Sequence, residues 1–202
     1  MEKLDHLTTV VQEALGPDLI KAQQYKDELT IETYAGSIVR VLTILRDHPN
    51  CLFRILLDVC GVDYPDDHKR FRVVYHLLSI ELNLRIRVKV ALVEGMDIPS
   101  VSGVYNSANW YERETFDLYG IIFSDHPNLR RLLTDYEFQG HPLRKDFPLT
   151  GYVEVRYNEE KHKVIYEPVS LAQDYRNFDY LSPWEGMLHK KNPLPGDEKA
   201  SS

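Results

Sequence analysis

Leu4, Leu7, Val11, Ala14 and Leu15 recur at three- and four-residue steps, which places them on one stripe of a helix over residues 4–15, and Gly16-Pro17 stops the run. Residues 18–24 and 28–34 read as strands joined by a polar turn. Ser37 can cap a second helix with Ile38, Val41, Leu42 and Leu45 inward, ended at His48-Pro49. By the same reasoning Asn50 caps a short third helix carrying Leu52, Ile55, Leu56 and Val59, ended by Gly61. Residues 71–80 and 84–93 form a hairpin about Leu82-Asn83. In its second strand Leu84, Ile86, Val88, Val90 and Leu92 alternate with Arg85, Arg87 and Lys89, so the two sets face opposite sides. The basic set could meet an anion or an acidic partner, or simply face water. Gly95 to Asn106 reads as a loop. The expected fold is α+β: a small, mostly antiparallel sheet with helices on one face, in a domain over residues 1–120.

The texture changes after Gly120. Seven of the 11 prolines lie beyond it, and little helical or strand periodicity survives apart from extended pieces at 152–157 and 163–169. Yet the stretch from Trp110 to Trp184 holds 15 of the 22 aromatic residues. Proline-rich, aperiodic sequence cannot close a core of its own, and exposed rings are unfavourable by about 25 cal/mol per Å² of apolar area. A long extended arm over 121–192 is therefore expected to lay its rings on another protein, the other reading being an arm folded back on its own domain. Phe147, Tyr152, Tyr157 and Trp184 are the candidate anchors, and Arg144 and Lys145, between Pro142 and Pro148, could grip an acidic patch. Residues 193–202 (PLPGDEKASS) read as a disordered tail.

Composition narrows the chemistry. With 43% hydrophobic residues in 202 the chain can bury a core, and its longest apolar run, four residues, is far too short for a membrane helix. The net charge of −7 argues against an autonomous nucleic-acid binder. Two cysteines, Cys51 and Cys60, suit a reducing compartment and cannot ligate an iron–sulfur cluster alone. G-x-G-x-x-G, a P-loop, H-E-x-x-H and G-x-S-x-G are absent, and no histidine pair stands three or four apart. The start, MEKLDHL, reads as neither a signal nor a transit peptide, so as written the chain is expected to stay in the bacterial cytoplasm or to be a mature form.

Residues 109–120 (NWYERETFDLYG) concentrate the remaining interest. Asn109 at the N-cap would put Glu112 at N3, as in a capping box. Tyr111, Thr115, Leu118 and Tyr119 share one helical face, with Phe116 at its edge. Glu112 projects onto that apolar side, while Arg113, Glu114 and Asp117 lie opposite. A carboxylate there must be capped or paired, with Arg130 or Arg131 as partners. Glu112 and Glu114 project about 200° apart at 100° per residue, so they cannot flank one bond as an acid–base pair.

The run Glu112-Arg113-Glu114, Asp117-Leu118-Tyr119, His126, Arg130, Leu132-Leu133 resembles the signature of the C-subunit (thirty-kilodalton) family of proton-translocating NADH–quinone oxidoreductase, respiratory complex I. Residues 132–157 and 167–186 are similar to the same family, in its alphaproteobacterial and mitochondrial branch. The resemblance implies a scaffold and assembly subunit with no catalytic residue, flavin, cluster or quinone of its own. FMN, Fe–S clusters and quinone would belong to partner subunits. It implies docking on the quinone-site D subunit foremost, and on the cluster-bearing B and I subunits, without a membrane span, at the cytoplasmic side of the inner membrane. An equivalent subunit of a related membrane-bound hydrogenase or dehydrogenase is one alternative. A stand-alone acid–base enzyme built on Glu112, Glu114 and His126 is the other.

Overall fold

A computed structural model of the chain describes residues 2–173. Helix α1 (Glu2–Leu15) leads through a short turn to strands β1 (Leu19–Tyr25) and β2 (Glu28–Thr33), followed by α2 (Ile38–Asp47). Strands β3 (Ile55–Asp63), β4 (Phe71–Ser79) and β5 (Leu84–Leu92) form an antiparallel meander. The sheet order is β1-β2-β5-β4-β3, and β2 joins β5 in parallel while the other pairings are antiparallel. A two-residue strand β6 (Ile98–Pro99) pairs in parallel with β7 (Phe123–Ser124), on either side of α3 (Ala108–Tyr119).

The apolar stripes explain the packing. Leu7, Val11 and Leu15 of α1 and Ile38, Val41, Leu42 and Leu45 of α2 are buried. They share one cluster with Leu29, Ile31, Val73, Tyr75, Leu77, Val88 and Val90 of the sheet. Helix α3 packs on β3 so closely that a Cβ at Gly61 would stand 2.6 Å from the Tyr119 ring. The helices thus cover one sheet face, in an α+β arrangement with a mostly antiparallel sheet.

Two local expectations are corrected. The segment expected as a third helix is strand β3. Its register slips between Leu56 and Asp58. A bulge inserts one extra residue, so the inward side chains Leu56 and Val59 fall three apart and imitate a helical step. Ser37 does precede α2, but it makes no cap bond. Its hydroxyl donates to Asp18 Oδ1 at 2.7 Å instead.

Contacts divide the chain into Met1–Leu149 and Thr150–Ser202. The stretch 121–149, read from sequence as the beginning of the arm, belongs with the first unit. The Leu143 N–H donates to the Leu118 carbonyl at 3.1 Å, and the Lys145 N–H to Asp63 Oδ2 at 2.7 Å. In the second unit, β8 (Val153–Asn158) and β9 (Lys163–Pro168) form an antiparallel hairpin. Trp184 and the expected tail 193–202 lie outside the described residues.

Candidate functional site

Helix α3 carries two fully buried carboxylates. Its first turn begins at Ala108, with Ser107 before it and no side-chain cap, so Asn109 and Glu112 do not form the expected capping box. Glu112 reaches across to the loop after β6. Ser100 Oγ donates to its Oε2 at 2.6 Å and the Val101 N–H to its Oε1 at 2.7 Å. Burial raises its pKa to about 7, against the lowering effect of those two donors. The fully buried Tyr75 hydroxyl has no hydrogen-bond partner among the described residues, and its pKa is raised by burial first and then by the Glu112 charge.

His126 stands 3.8 Å from Glu112 Oε2, beyond hydrogen-bond distance. Its Nδ1 accepts from the Asn128 N–H, which leaves Nε2 to donate to the Asn109 carbonyl at 3.0 Å. This histidine therefore pins the chain after β7 to the start of α3.

Asp117 is surrounded by donors. Its Oδ2 accepts the N–H groups of Leu132, Leu133 and Thr134 at 3.0, 2.7 and 2.9 Å. Its Oδ1 accepts the Thr134 hydroxyl at 2.6 Å and Arg131 Nη1 at 2.8 Å. Burial by itself would raise the pKa, but Thr134, Leu133 and Arg131 together hold it well below the usual carboxylate range. Arg113 joins the same loop, with Nε on the Arg130 carbonyl and Nη2 on the Arg131 carbonyl at 3.1 and 3.2 Å. The ion pair foreseen for Glu112 with Arg130 or Arg131 thus belongs to Asp117 and Arg131. Arg130 contributes its carbonyl to Arg113 and is exposed. Glu114 is half-buried, near enough to Cys60 to add a little to the rise that burial gives that thiol.

Gly120 ends α3 in a left-handed conformation, φ +74°. An added Cβ would stand 2.5 Å from His141 Nε2 and 2.7 Å from Arg144 Nη2. His141 Nδ1 lies 2.9 Å from the Asp117 carbonyl, and Arg144 Nε donates to the Tyr119 carbonyl at 2.6 Å. Arg144 also pairs with Glu94 at 2.8 Å and stacks on Phe71. Asp63 takes both the Lys145 N–H and a two-point Arg70 contact, and Arg70 reaches Asp146 at 2.9 Å. Phe147 stacks on Phe138 with ring centres 5.9 Å apart. Arg144 and Phe147 are thus engaged within the first unit, and the Lys145 side chain is exposed. Sequence reading did not single out Ser100, Thr134, Asp63 or Arg70, because nothing in their spacing ties them to α3.

The hairpin of the second unit is sided. Val155 faces Tyr166, Tyr157 faces Val164 and Val153 faces Pro168, so these residues share one face. Val153, Val155, Tyr157, Val164 and Tyr166 are each more than half exposed. The other face holds Glu154, Arg156 and Glu167, with an Arg156–Glu167 pair at 3.3 Å. Tyr152, next to β8, is also exposed. Among the described residues, no three His, Cys, Asp or Glu side chains are placed to hold a metal ion, and no helix is long and apolar enough to cross a membrane.

Residues 31–153 match the family described as the respiratory-chain NADH dehydrogenase 30-kDa subunit. The chain is 61% identical to the C subunit of NADH-quinone oxidoreductase from Methylobacterium radiotolerans over 94% of its own length and 86% of the relative's. Identity to the protein of the same name from Azorhizobium caulinodans is 57%, over 100% of this chain and 94% of that one. For Paramagnetospirillum magneticum it is 56%, over 99% of both. Among solved structures, a chain from the membrane-bound sulfane sulfur reductase, an archaeal respiratory membrane complex, superposes with a TM-score of 0.65 and 25% identity, covering 81% of this chain and 99% of that one.

Proposed function

The chain belongs to the 30-kDa-subunit family of respiratory-chain NADH dehydrogenase, and on that premise we propose that it is a non-catalytic structural and assembly subunit of NADH–quinone oxidoreductase. In this reading electrons pass from NADH through FMN and Fe–S clusters of other subunits to quinone, coupled to proton translocation. The chain holds the quinone-reducing module in shape from the cytoplasmic side of the membrane. The quinone-site D subunit is its foremost partner, with the cluster-bearing B and I subunits beside it.

The observation that carries the reading is the apolar face of the β8–β9 hairpin. A two-stranded hairpin is marginally stable alone, and a contiguous apolar face on one is an interaction surface. The arm expected over 121–192 then docks through its part from Thr150 on, with Tyr157 among the anchors. The signature residues have a different role. Glu112, Arg113, Asp117 and His126 act as internal fasteners. Both Glu112 oxygens are engaged inside the fold, which disfavours the acid–base enzyme. The likeness to the sulfane sulfur reductase chain favours, as a second reading, an equivalent subunit of another membrane-bound respiratory complex, though identities of 56–61% to C subunits of NADH-quinone oxidoreductase favour the first.

The test is purification of the tagged chain from native membranes, with mass spectrometry of its partners. The complex should co-purify with NADH–quinone reductase activity. Replacing Val155 and Val164 by Asp should deplete the quinone-site subunit several-fold. A chain recovered alone, or an undiminished yield of complex with both substitutions, refutes the reading.

A further inference from the structure

The helices cover one face of the five-stranded sheet, and on the other face the strands line up in rows. One row runs Lys21, Glu32, Lys89, Val74, Cys60, and the next Gln23, Thr30, Arg87, His76, Asp58. Arg72 and Arg85 occupy the flanking rows. Five cations therefore stand against Glu28, Glu32 and Asp58 on the outward positions of a chain whose net charge is −7. Arg87 pairs with Glu28 at 2.7 Å and Arg72 with Asp67 at 2.9 Å. Lys21, Arg85 and Lys89 make no ion pair among the described residues. Burial first, then Arg87, lowers the pKa of His76, while Asp58 and Glu28 act the other way. Toward β3 the face also carries apolar groups: Cys60, Val62, Tyr64 and Val74 share a groove with the charged Asp67, Arg72 and Lys89, and Leu57 and Tyr64 are 38% and 48% exposed.

We propose that this open sheet face docks an acidic, partly apolar segment of a neighbouring protein subunit, whose carboxylates meet Lys21, Arg85 and Lys89 and whose apolar side chains cover Leu57, Val62 and Tyr64. The face sets apolar side chains along its β3 edge beside charged rows at its middle, the mixture of apolar and polar groups that a protein interface uses. Its sign is opposite to that of the chain as a whole, which sets the orientation of an acidic partner. The interleaved acids select the partner's class. Glu32 between Lys21 and Lys89, and Asp58 in the row of Arg87, would repel the unbroken charge of a nucleic-acid backbone or an anionic membrane, whereas a protein can space its carboxylates to avoid them. The proposal rests on the reading of the chain as one member of a larger complex.

The complex purified from native membranes is treated with a water-soluble carbodiimide, which joins lysine amines to carboxylates in direct contact, and with an acetylating reagent in parallel. Lys21 and Lys89 should couple to Asp or Glu residues clustered in one segment of one neighbouring subunit. They should be acetylated at least several-fold more slowly than Lys26, on the β1–β2 turn. The double variant Lys21→Glu, Lys89→Glu should enter the complex several-fold less well, and reversing the linked carboxylates to lysine should restore it in part. Acetylation at the rate of Lys26, links confined to Glu32 of the same chain or to a second copy, links scattered over many subunits, or protection lost when lipid is stripped would each overturn the proposal. A chain absent from the purified complex would instead overturn the reading on which it rests.

Discussion

Glu112 and Asp117 lie on the same helix, and both side chains are fully buried, yet their surroundings shift their pKa values in opposite directions. Glu112 receives one hydroxyl and one N–H, too few to offset the loss of water, and its pKa rises to about 7. Asp117 receives three N–H groups, a hydroxyl and a guanidinium, and its pKa falls well below the ordinary range. Burial sets the size of the penalty, and the number of donors aimed at the group decides whether the charge survives. The Asp117 end of α3 is a charged anchor for the loop 130–134. The Glu112 end is a carboxyl with its pKa raised to about 7 that holds the loop at 100–101.

The sharpest way to break this contrast is Asp117→Ala. It strands Arg131 and three backbone N–H groups, and should destabilise the chain by about 3–5 kcal/mol in urea titrations. A loss below about 1 kcal/mol would mean that water satisfies those donors. The pH dependence comes next, with opposite signs at the two sites. The folded chain holds the Glu112 proton more tightly than the unfolded chain, so that group's contribution is full below the ordinary carboxylate pKa and is lost as pH rises towards 7, by an amount on the order of 3 kcal/mol. For Asp117 the contribution is present above the ordinary value and is lost as pH falls through the lowered one. Glu112→Gln should flatten the slope between about pH 4.5 and 7 and leave the acid limb intact; an unchanged slope would assign that titration elsewhere. Glu112→Ala at pH 6 leaves Ser100 and Val101 without their acceptor and should cost about 1–3 kcal/mol. Gly120→Ala, strained by its φ of +74° and crowded by His141, should cost about 1–3 kcal/mol. The smallest effect belongs to Arg130→Ala. It should stay within about 0.5 kcal/mol, because only the carbonyl is used.

The elements with an uninterrupted period were legible in the sequence: α1, α2 and the β4–β5 hairpin each place their apolar residues on one face. Strand β3 was not, because the bulge at Leu56–Asp58 broke its alternation and left a pattern that fits a helix equally well. The role of α3 was half legible. The sequence showed that Glu112 needed a partner, but Ser100 and Val101 come from a loop brought alongside by β6–β7 pairing, which no local spacing encodes. The segment after Gly120 misled for a related reason. Backbone N–H groups closing on Asp117 and Asp63 hold residues 130–147 in place, and such anchoring leaves no hydrophobic period to read. Phe138 and Phe147 consequently stack on one another inside the first unit.

The parallel join of β2 to β5 has a consequence for how the protein is made. Leu29 lies beside Ile86 and Thr33 beside Val90. During synthesis the first hairpin therefore leaves the ribosome with an open edge and waits for the whole meander before that edge is closed. Translation adds about 5–20 residues per second, so the backbone edge of β2 stays unpaired for seconds. Stalled chains ending before Leu84 should react along β2 with small probes that no longer reach it once Leu92 has emerged.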